Sequence, residues 1–167
     1  MSDDRTFEFE RVLRENERYT EAFDRSALTA APLSGLVVIA CMDARIDVED
    51  ALGLRVGDAH VIRNAGGLAT DDAIRSVVVS QQLLGTDEIV VIQHTGCGLH
   101  GADEAALRTQ LAEATGRRLE MTFGSFTDLE QSVRRAVDRL RTHAWVRRVP
   151  VHGLIYDVAT GRLHEVA

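Results

Sequence analysis

The chain has only two cysteines, and each stands at or just past the end of an apolar run. Cys41 opens the segment Cys41-Met42-Asp43-Ala44-Arg45, directly after Leu36-Val37-Val38-Ile39-Ala40. Cys97 lies in His94-Thr95-Gly96-Cys97-Gly98, shortly after Ile89-Val90-Val91-Ile92. Two thiolates and an imidazole make a Cys2His ligand set. Such a set suits Zn2+ and leaves one tetrahedral position open, which distinguishes a catalytic zinc from a structural one. His94-x-x-Cys97 brings two ligands to one ion from a single loop, with Cys41 on a neighbouring strand. On spacing alone two other readings stand beside the metal. One is a Cys41–Cys97 disulfide, which a reducing compartment disfavours. The other is a pair of buried thiols acting as small apolar core residues.

Asp43 and Arg45 lie two and four residues beyond Cys41. A carboxylate beside a metal can take its fourth position or accept a hydrogen bond from bound water. An arginine paired with that carboxylate keeps it ionised and fixes its direction. Away from a metal the same pair is a surface ion pair worth little.

These residues need a scaffold, and the pattern around them supplies one. Strands are expected over residues 36–40, 59–63 and 88–93, each a short run of apolar, largely β-branched residues. The first is expected to end before Cys41, with 41–45 as a loop and a short helical turn over 47–52. Asn64-Ala65-Gly66-Gly67 is a loop signal. Thr70-Asp71-Asp72 starts a helix whose apolar face carries Ile74, Val77, Val78 and Leu84, and Gly85 ends it. A further helix covers 103–115 and stops at Gly116. Thr127-Asp128-Leu129-Glu130 matches a capping box, followed by Leu129, Val133, Val137 and Leu140 at helical spacing. Residues 151–158 and 162–166 flank Ala159-Thr160-Gly161 as a hairpin. Residues 7–24 carry Phe9, Val12, Leu13, Tyr19 and Phe23 among charges, an amphipathic helical arm. Strands alternating with helices imply an α/β fold, a mostly parallel central sheet flanked by helices. In such sheets ligands bind beyond the carboxyl ends of the strands, where Cys41 and the His94/Cys97 pair fall.

At 167 residues the chain is expected to form a single domain spanning 1–167. Its net charge of −7 argues against a nucleic-acid partner. All 19 basic residues are arginine, so lysine Schiff-base chemistry and a P-loop lysine are excluded. No apolar run approaches the ~20 residues of a membrane helix. The start Met1-Ser2-Asp3-Asp4 lacks the basic and apolar regions of a secretory signal, so a cytoplasmic location is expected.

Three elements together, Cys41-x-Asp43-x-Arg45, Arg63-Asn64-Ala65-Gly66 and His94-x-x-Cys97-Gly98, resemble in order and spacing the signature of the β-class carbonic anhydrases. The similarity is strongest over residues 36–100. The resemblance implies one zinc ion per subunit, bound by Cys41, His94 and Cys97, with Asp43 and Arg45 as the catalytic pair. It implies reversible hydration of CO2 to bicarbonate by zinc-bound hydroxide, with activity rising between neutral and alkaline pH. It also implies a homodimer, or a tetramer built from dimers, in which the arm of residues 1–30 packs on a partner subunit. Asp43 either hydrogen-bonds the zinc-bound hydroxide or, in an inactive form, ligates zinc itself.

The departures bear on substrate. No Gln lies in 28–39, where many members carry one that helps to bind substrate. Val38 stands where some members have the Trp of an inhibitory bicarbonate pocket, although Arg63 is present. Gly96 replaces a frequent Asp, and Gln93 precedes His94 where Gly or His is common. The compact form and the run Ala40-Cys41-Met42-Asp43-Ala44-Arg45-Ile46-Asp47 resemble a bacterial branch that includes carbonyl sulfide hydrolases, with carbon disulfide hydrolases as relatives. These are the alternative activity, and a non-catalytic zinc-binding scaffold is the alternative of another class. His60 and His100 are candidate proton shuttles, His100 the better placed. Gly66, Gly67, Gly96 and Gly98 are expected to allow tight loops near the metal.

Overall fold

Among the described residues five strands form one sheet. The structure is a computed structural model and describes residues 6–167. β1 (Leu36–Cys41) lies between β2 (Ala59–Asn64) and β3 (Glu88–His94); β4 (Val151–Tyr156) follows β3, and these four strands are parallel. β5 (Leu163–Glu165) pairs antiparallel with β4 and completes the expected hairpin.

The strands are apolar on both faces because both faces are covered. Alternate residues face opposite ways. Val37, Ile39, Ile89 and Val91 join one core, with Ala73, Ile74 and Val77 of α3 (Asp71–Leu84) and Val133, Ala136, Val137 and Leu140 of α5 (Leu129–Thr142). Val38, Ala40 and Ile92 join the other, with Val48 of α2 (Val48–Leu52), Ile46 and Phe126. Each fully buried Val, Ile or Leu contributes ~1.5–3 kcal/mol. Cys41 and Cys97 belong to the second core, so both thiols rest on packed apolar residues.

Helix ends follow the expected chemistry, with one exception. Thr70 caps α3 by accepting from the Ala73 N–H, and Gly85 ends it in the left-handed region. Asp103 caps α4 (Glu104–Thr115) by accepting from the N–H groups of Ala105 and Ala106. The capping box at Thr127 does not form. Asp128 is the cap and accepts from the Gln131 N–H, so Glu130 sits one position too early to reach back. Asp caps at least as well as Thr, and the helix starts one residue later.

The first strand also ends later than expected. Cys41 pairs with Asn64, and the Met42 N–H donates to the Asn64 carbonyl at 2.9 Å. Cys41 is therefore a strand residue, held by the ladder rather than by a loop.

The arm is helical as expected: α1 spans Thr6–Glu21. Phe9, Val12, Leu13 and Tyr19 on it, and Phe23 beyond it, are exposed. Residues 1–5 of the expected 1–30 arm lie outside the described residues. Among the described residues no helix is long and apolar enough to cross a membrane.

Candidate metal centre

The sheet brings the three sequence-predicted ligands together. β1 and β3 are neighbours, and Ala40 pairs with Ile92. Cys41 and His94 therefore leave the sheet side by side at its carboxyl edge. The loop after β3 is tied down at once: the Thr95 N–H donates to the Tyr156 carbonyl at 3.0 Å, and Thr95 Oγ1 accepts from the Val158 N–H at 3.1 Å. Gly96 then takes a φ of 64° and turns the chain so that Cys97 comes back toward the strands. One ligand atom from each of Cys41, His94 and Cys97 lies within 4.8 Å of the others, and all three residues are buried. Both cysteines are free thiols, so the disulfide reading falls.

His94 presents an unused lone pair to the cluster. Its Nδ1 lies 2.9 Å from the Thr95 carbonyl oxygen, which can only accept, so Nδ1 carries the hydrogen. In the neutral ring the lone pair then sits on Nε2. That atom is buried and has no hydrogen-bond partner. An orphaned buried acceptor costs ~1–3 kcal/mol, and a cation at this point removes the cost. Burial, first of all, pushes the Cys97 thiol upward, opposed in part by a hydrogen bond at Leu99 and reinforced by Cys41 beside it. Two thiols so close resist ionising together unless a cation neutralises them. The donor set and the unsatisfied nitrogen fit a zinc ion.

Asp43 and Arg45 form a forked pair. Arg45 Nε donates to Asp43 Oδ1 at 2.9 Å and Nη2 to Oδ2 at 2.7 Å, and the Arg45 backbone N–H reaches Oδ1 at 3.0 Å. These bonds, with the side-chain ones foremost, hold the Asp43 carboxyl well below the usual carboxylate range. Arg45 Nη2 also donates to the Gly96 carbonyl at 3.0 Å. A Cβ on Gly96 would stand 3.8 Å from this guanidinium. The arginine thus joins the segment after Cys41 to the loop of Cys97. Asp43 Oδ2 lies 3.7 Å from His94 Nε2, yet Asp43 stands outside the group of mutually close ligand atoms. It faces the cluster without joining it.

The expected loop Asn64-Ala65-Gly66-Gly67 supports the site in two ways. Gly67 sits behind the site with φ of 61°, and a Cβ there would meet the Ile92 carbonyl oxygen at 2.5 Å and the Cys41 nitrogen at 3.0 Å. Asn64 closes its own loop by donating to the Leu68 carbonyl and accepting from the Leu68 N–H, both at 2.8 Å. Of the four glycines expected to turn tightly, Gly66, Gly67 and Gly96 have positive φ and Gly98 does not.

The two shuttle candidates part company. His60 uses both ring nitrogens, on Ser80 Oγ at 2.7 Å and the Ala30 carbonyl at 2.8 Å. It lies near the start of β2, at the end of the sheet away from the ligands. His100 is exposed, stacks on Phe126 with ring centroids 5.5 Å apart, and places Nε2 3.1 Å from the Thr127 carbonyl. Gln93 is fully buried on the face of the sheet opposite His94, with its Nε2 3.4 Å from the Gly67 carbonyl and Oε1 unpartnered.

Known proteins are similar to this chain in sequence and fold. The family model for carbonic anhydrase matches residues 36–163. β-Carbonic anhydrase 1 of Mycobacterium tuberculosis is 39% identical over 155 residues, covering 92% of this chain and 94% of that protein. A carbon disulfide hydrolase of Acidithiobacillus thiooxidans is 40% identical over 153 residues, covering 77% of this chain and 75% of that protein. Among solved structures, carbonic anhydrase from Streptococcus mutans aligns with a TM-score of 0.90 at 40% identity, covering 95% of this chain and 97% of that one.

Proposed function

The chain belongs to the β-carbonic anhydrase family, and from that membership we propose that it hydrates CO2 reversibly to bicarbonate. Cys41, His94 and Cys97 hold one zinc ion per subunit in this reading. The observation that carries it is the meeting of an unpartnered His94 Nε2, two free thiols and an ionised Asp43 at one sheet edge. Zinc bound there would supply Lewis acidity, which lowers the pKa of water to about 7.

The protein's own residues do the rest. Thr95 fixes the His94 tautomer through its carbonyl, so that Nε2 always presents its lone pair. Asp43 Oδ2 accepts a hydrogen bond from the attacking oxygen, whose free lone pair is thereby turned toward the carbon of CO2. Arg45 keeps that carboxylate ionised and aimed. Ile92 and Phe126, both buried beside the cysteines, keep bulk water from that side of the site and strengthen these interactions. The bidentate grip of Arg45 supports a resting state in which Asp43 faces substrate instead of ligating zinc.

A stopped-flow CO2 hydration assay run beside a sulfide-release assay tests the reading. Hydration dominant over sulfide release supports it. Negligible hydration with rapid sulfide release assigns the chain to hydrolysis of carbonyl sulfide or carbon disulfide, a reading that the Acidithiobacillus relative favours. Stoichiometric zinc with neither activity marks a scaffold protein.

The same reading includes a homodimer. Its support is the exposed apolar stripe of Phe9, Val12 and Leu13 on α1, which a second subunit would cover. Light scattering that finds only monomer at micromolar concentration overturns it; pairing of dimers into tetramers shows in the same trace. Free thiols at a metal site suit a reducing compartment such as the cytoplasm.

A further inference from the structure

The Cys41-to-Arg45 segment is held by a side chain from the next strand. Arg63 lies on β2, paired with Ala40 in the register. Its Nε donates to the Cys41 carbonyl at 3.0 Å and its Nη2 to the Asp43 carbonyl at 2.7 Å. The backbone ladder between β1 and β2 runs out at Met42, whose N–H reaches the Asn64 carbonyl. Beyond that point the guanidinium takes over as donor. A planar fork spans two carbonyls two residues apart, which an ammonium point charge does not. The Asp43 carbonyl also accepts the Ile46 N–H at 3.1 Å, so the turn is fixed from both sides. Asp43 carries the carboxylate that must face His94, and Cys41 carries a thiol ligand. Both depend on backbone that Arg63 holds.

We propose that Arg63 is a positioning residue of the metal centre, clamping the Cys41 and Asp43 carbonyls so that thiolate and carboxylate meet the metal in a fixed geometry. The proposal rests on the reading of Cys41, His94 and Cys97 as zinc ligands. Arg63 reaches neither the ligand atoms nor the Asp43 carboxylate by any hydrogen bond, so it acts through the backbone of others.

The test uses Arg63→Lys, Arg63→Gln and Arg63→Ala beside wild type, each stripped of metal and reloaded. Zinc affinity is read by competition with a chromophoric chelator, and the site's geometry by the visible absorption of the cobalt-substituted protein. Circular dichroism and thermal melts check the fold. The expected result is a zinc affinity about 10–100-fold weaker in the Gln and Ala variants, the usual cost of losing a group that orients a ligand. The Lys variant should fall between these and wild type, because it keeps the charge and loses the fork. The cobalt spectra of all three should shift.

If the folded variants keep wild-type zinc affinity and cobalt spectrum, the proposal is overturned. A Lys variant equal to wild type also overturns it, since charge alone would then suffice. If all three fail to fold, Arg63 supports the domain and not the ligand segment, and the proposal falls as well. Failure of the underlying reading looks different: wild type itself then takes up no stoichiometric zinc.

Discussion

Asp43 Oδ2 and His94 Nε2 face each other across 3.7 Å. With the His94 hydrogen committed to the Thr95 carbonyl, both atoms are acceptors in the neutral ring state. Two acceptors directed at one small volume repel unless a cation or a proton donor lies between or beside them. Arg45 satisfies Asp43 from the far side, and nothing among the described residues satisfies Nε2. The convergence makes sense for a cation on the histidine and a hydrogen-bond donor for the carboxylate.

That division separates two kinds of variant. Cys41→Ser and His94→Ala each remove a ligand and should leave less than stoichiometric zinc, a larger loss than the about 10–100-fold that follows from removing an orienting group. Asp43→Ala should retain one zinc per chain and lose on the order of 10²-fold in hydration rate, the scale of a misdirected reacting group. Elemental analysis of dialysed protein and stopped-flow hydration measure the two effects separately. Stoichiometric zinc in Cys41→Ser would refute the ligand assignment.

Arg45→Lys tests the fork. Lysine can reach one Asp43 oxygen, but cannot engage both oxygens and the Gly96 carbonyl together. A charge-assisted hydrogen bond is worth ~1.5–3 kcal/mol when shielded, and the half-exposed setting of Arg45 reduces that. The expected outcome is a kcat about tenfold lower with zinc content unchanged. Steady-state kinetics with metal analysis decides; an unchanged kcat would mean that the charge suffices.

Cys41, His94 and Cys97 were legible as a candidate ligand set because they follow apolar runs whose ends a parallel sheet gathers at one edge. Spacing alone left a disulfide or buried thiols open, and the family resemblance chose between them. Asp43 and Arg45 were legible as a pair of opposite charges at close spacing. The Arg63 clamp was not, because its partners are carbonyl oxygens that every residue carries. The same reason hides Glu104, which accepts from two backbone N–H groups 19 and 21 residues away. The helix over α4 was legible, and it holds no buried residue, since alanine and leucine favour helix whether or not a core receives them. Thr127 and Asp128 are both good caps, and propensity alone does not choose between neighbours.

Glu104 makes a pH-dependent tie. Its carboxylate accepts from the N–H groups of Ser125 at 2.7 Å and Phe123 at 3.2 Å and from Arg108 at 3.1 Å. The Ser125 and Phe123 backbone bonds, in that order, pull its pKa down to about 2 from an ordinary 4.5. A carboxylate depressed in the folded state binds fewer protons there than in the unfolded chain. Its stabilisation is therefore complete above 4.5 and is lost as pH falls through about 2. Glu104→Gln should lower the melting temperature at pH 7, and the gap to wild type should close between pH 4.5 and 2. Thermal melts across that range check it; a gap independent of pH would assign the effect to packing.

Gly67 and Gly116 have nearly the same backbone, φ of 61° and 69°, but opposite surroundings. A Cβ on Gly116 meets nothing within 4 Å, whereas one on Gly67 meets the Ile92 carbonyl oxygen at 2.5 Å and the Cys41 nitrogen at 3.0 Å. Alanine at either position bears the left-handed cost of ~1–2 kcal/mol. At Gly67 the overlap adds to it, and the overlapped atoms are strand backbone that cannot rotate away. Gly116→Ala should thus lose about 1–2 kcal/mol in urea unfolding and keep its zinc. Gly67→Ala should lose about 2–5 kcal/mol once overpacking is added. Relief of the overlap must move β1 or β3 at the residues that carry Cys41 and His94, so zinc affinity should fall with stability. Equal losses in the two variants would mean that the backbone at Gly67 yields freely, and that the sheet edge is not the rigid frame on which the metal centre depends.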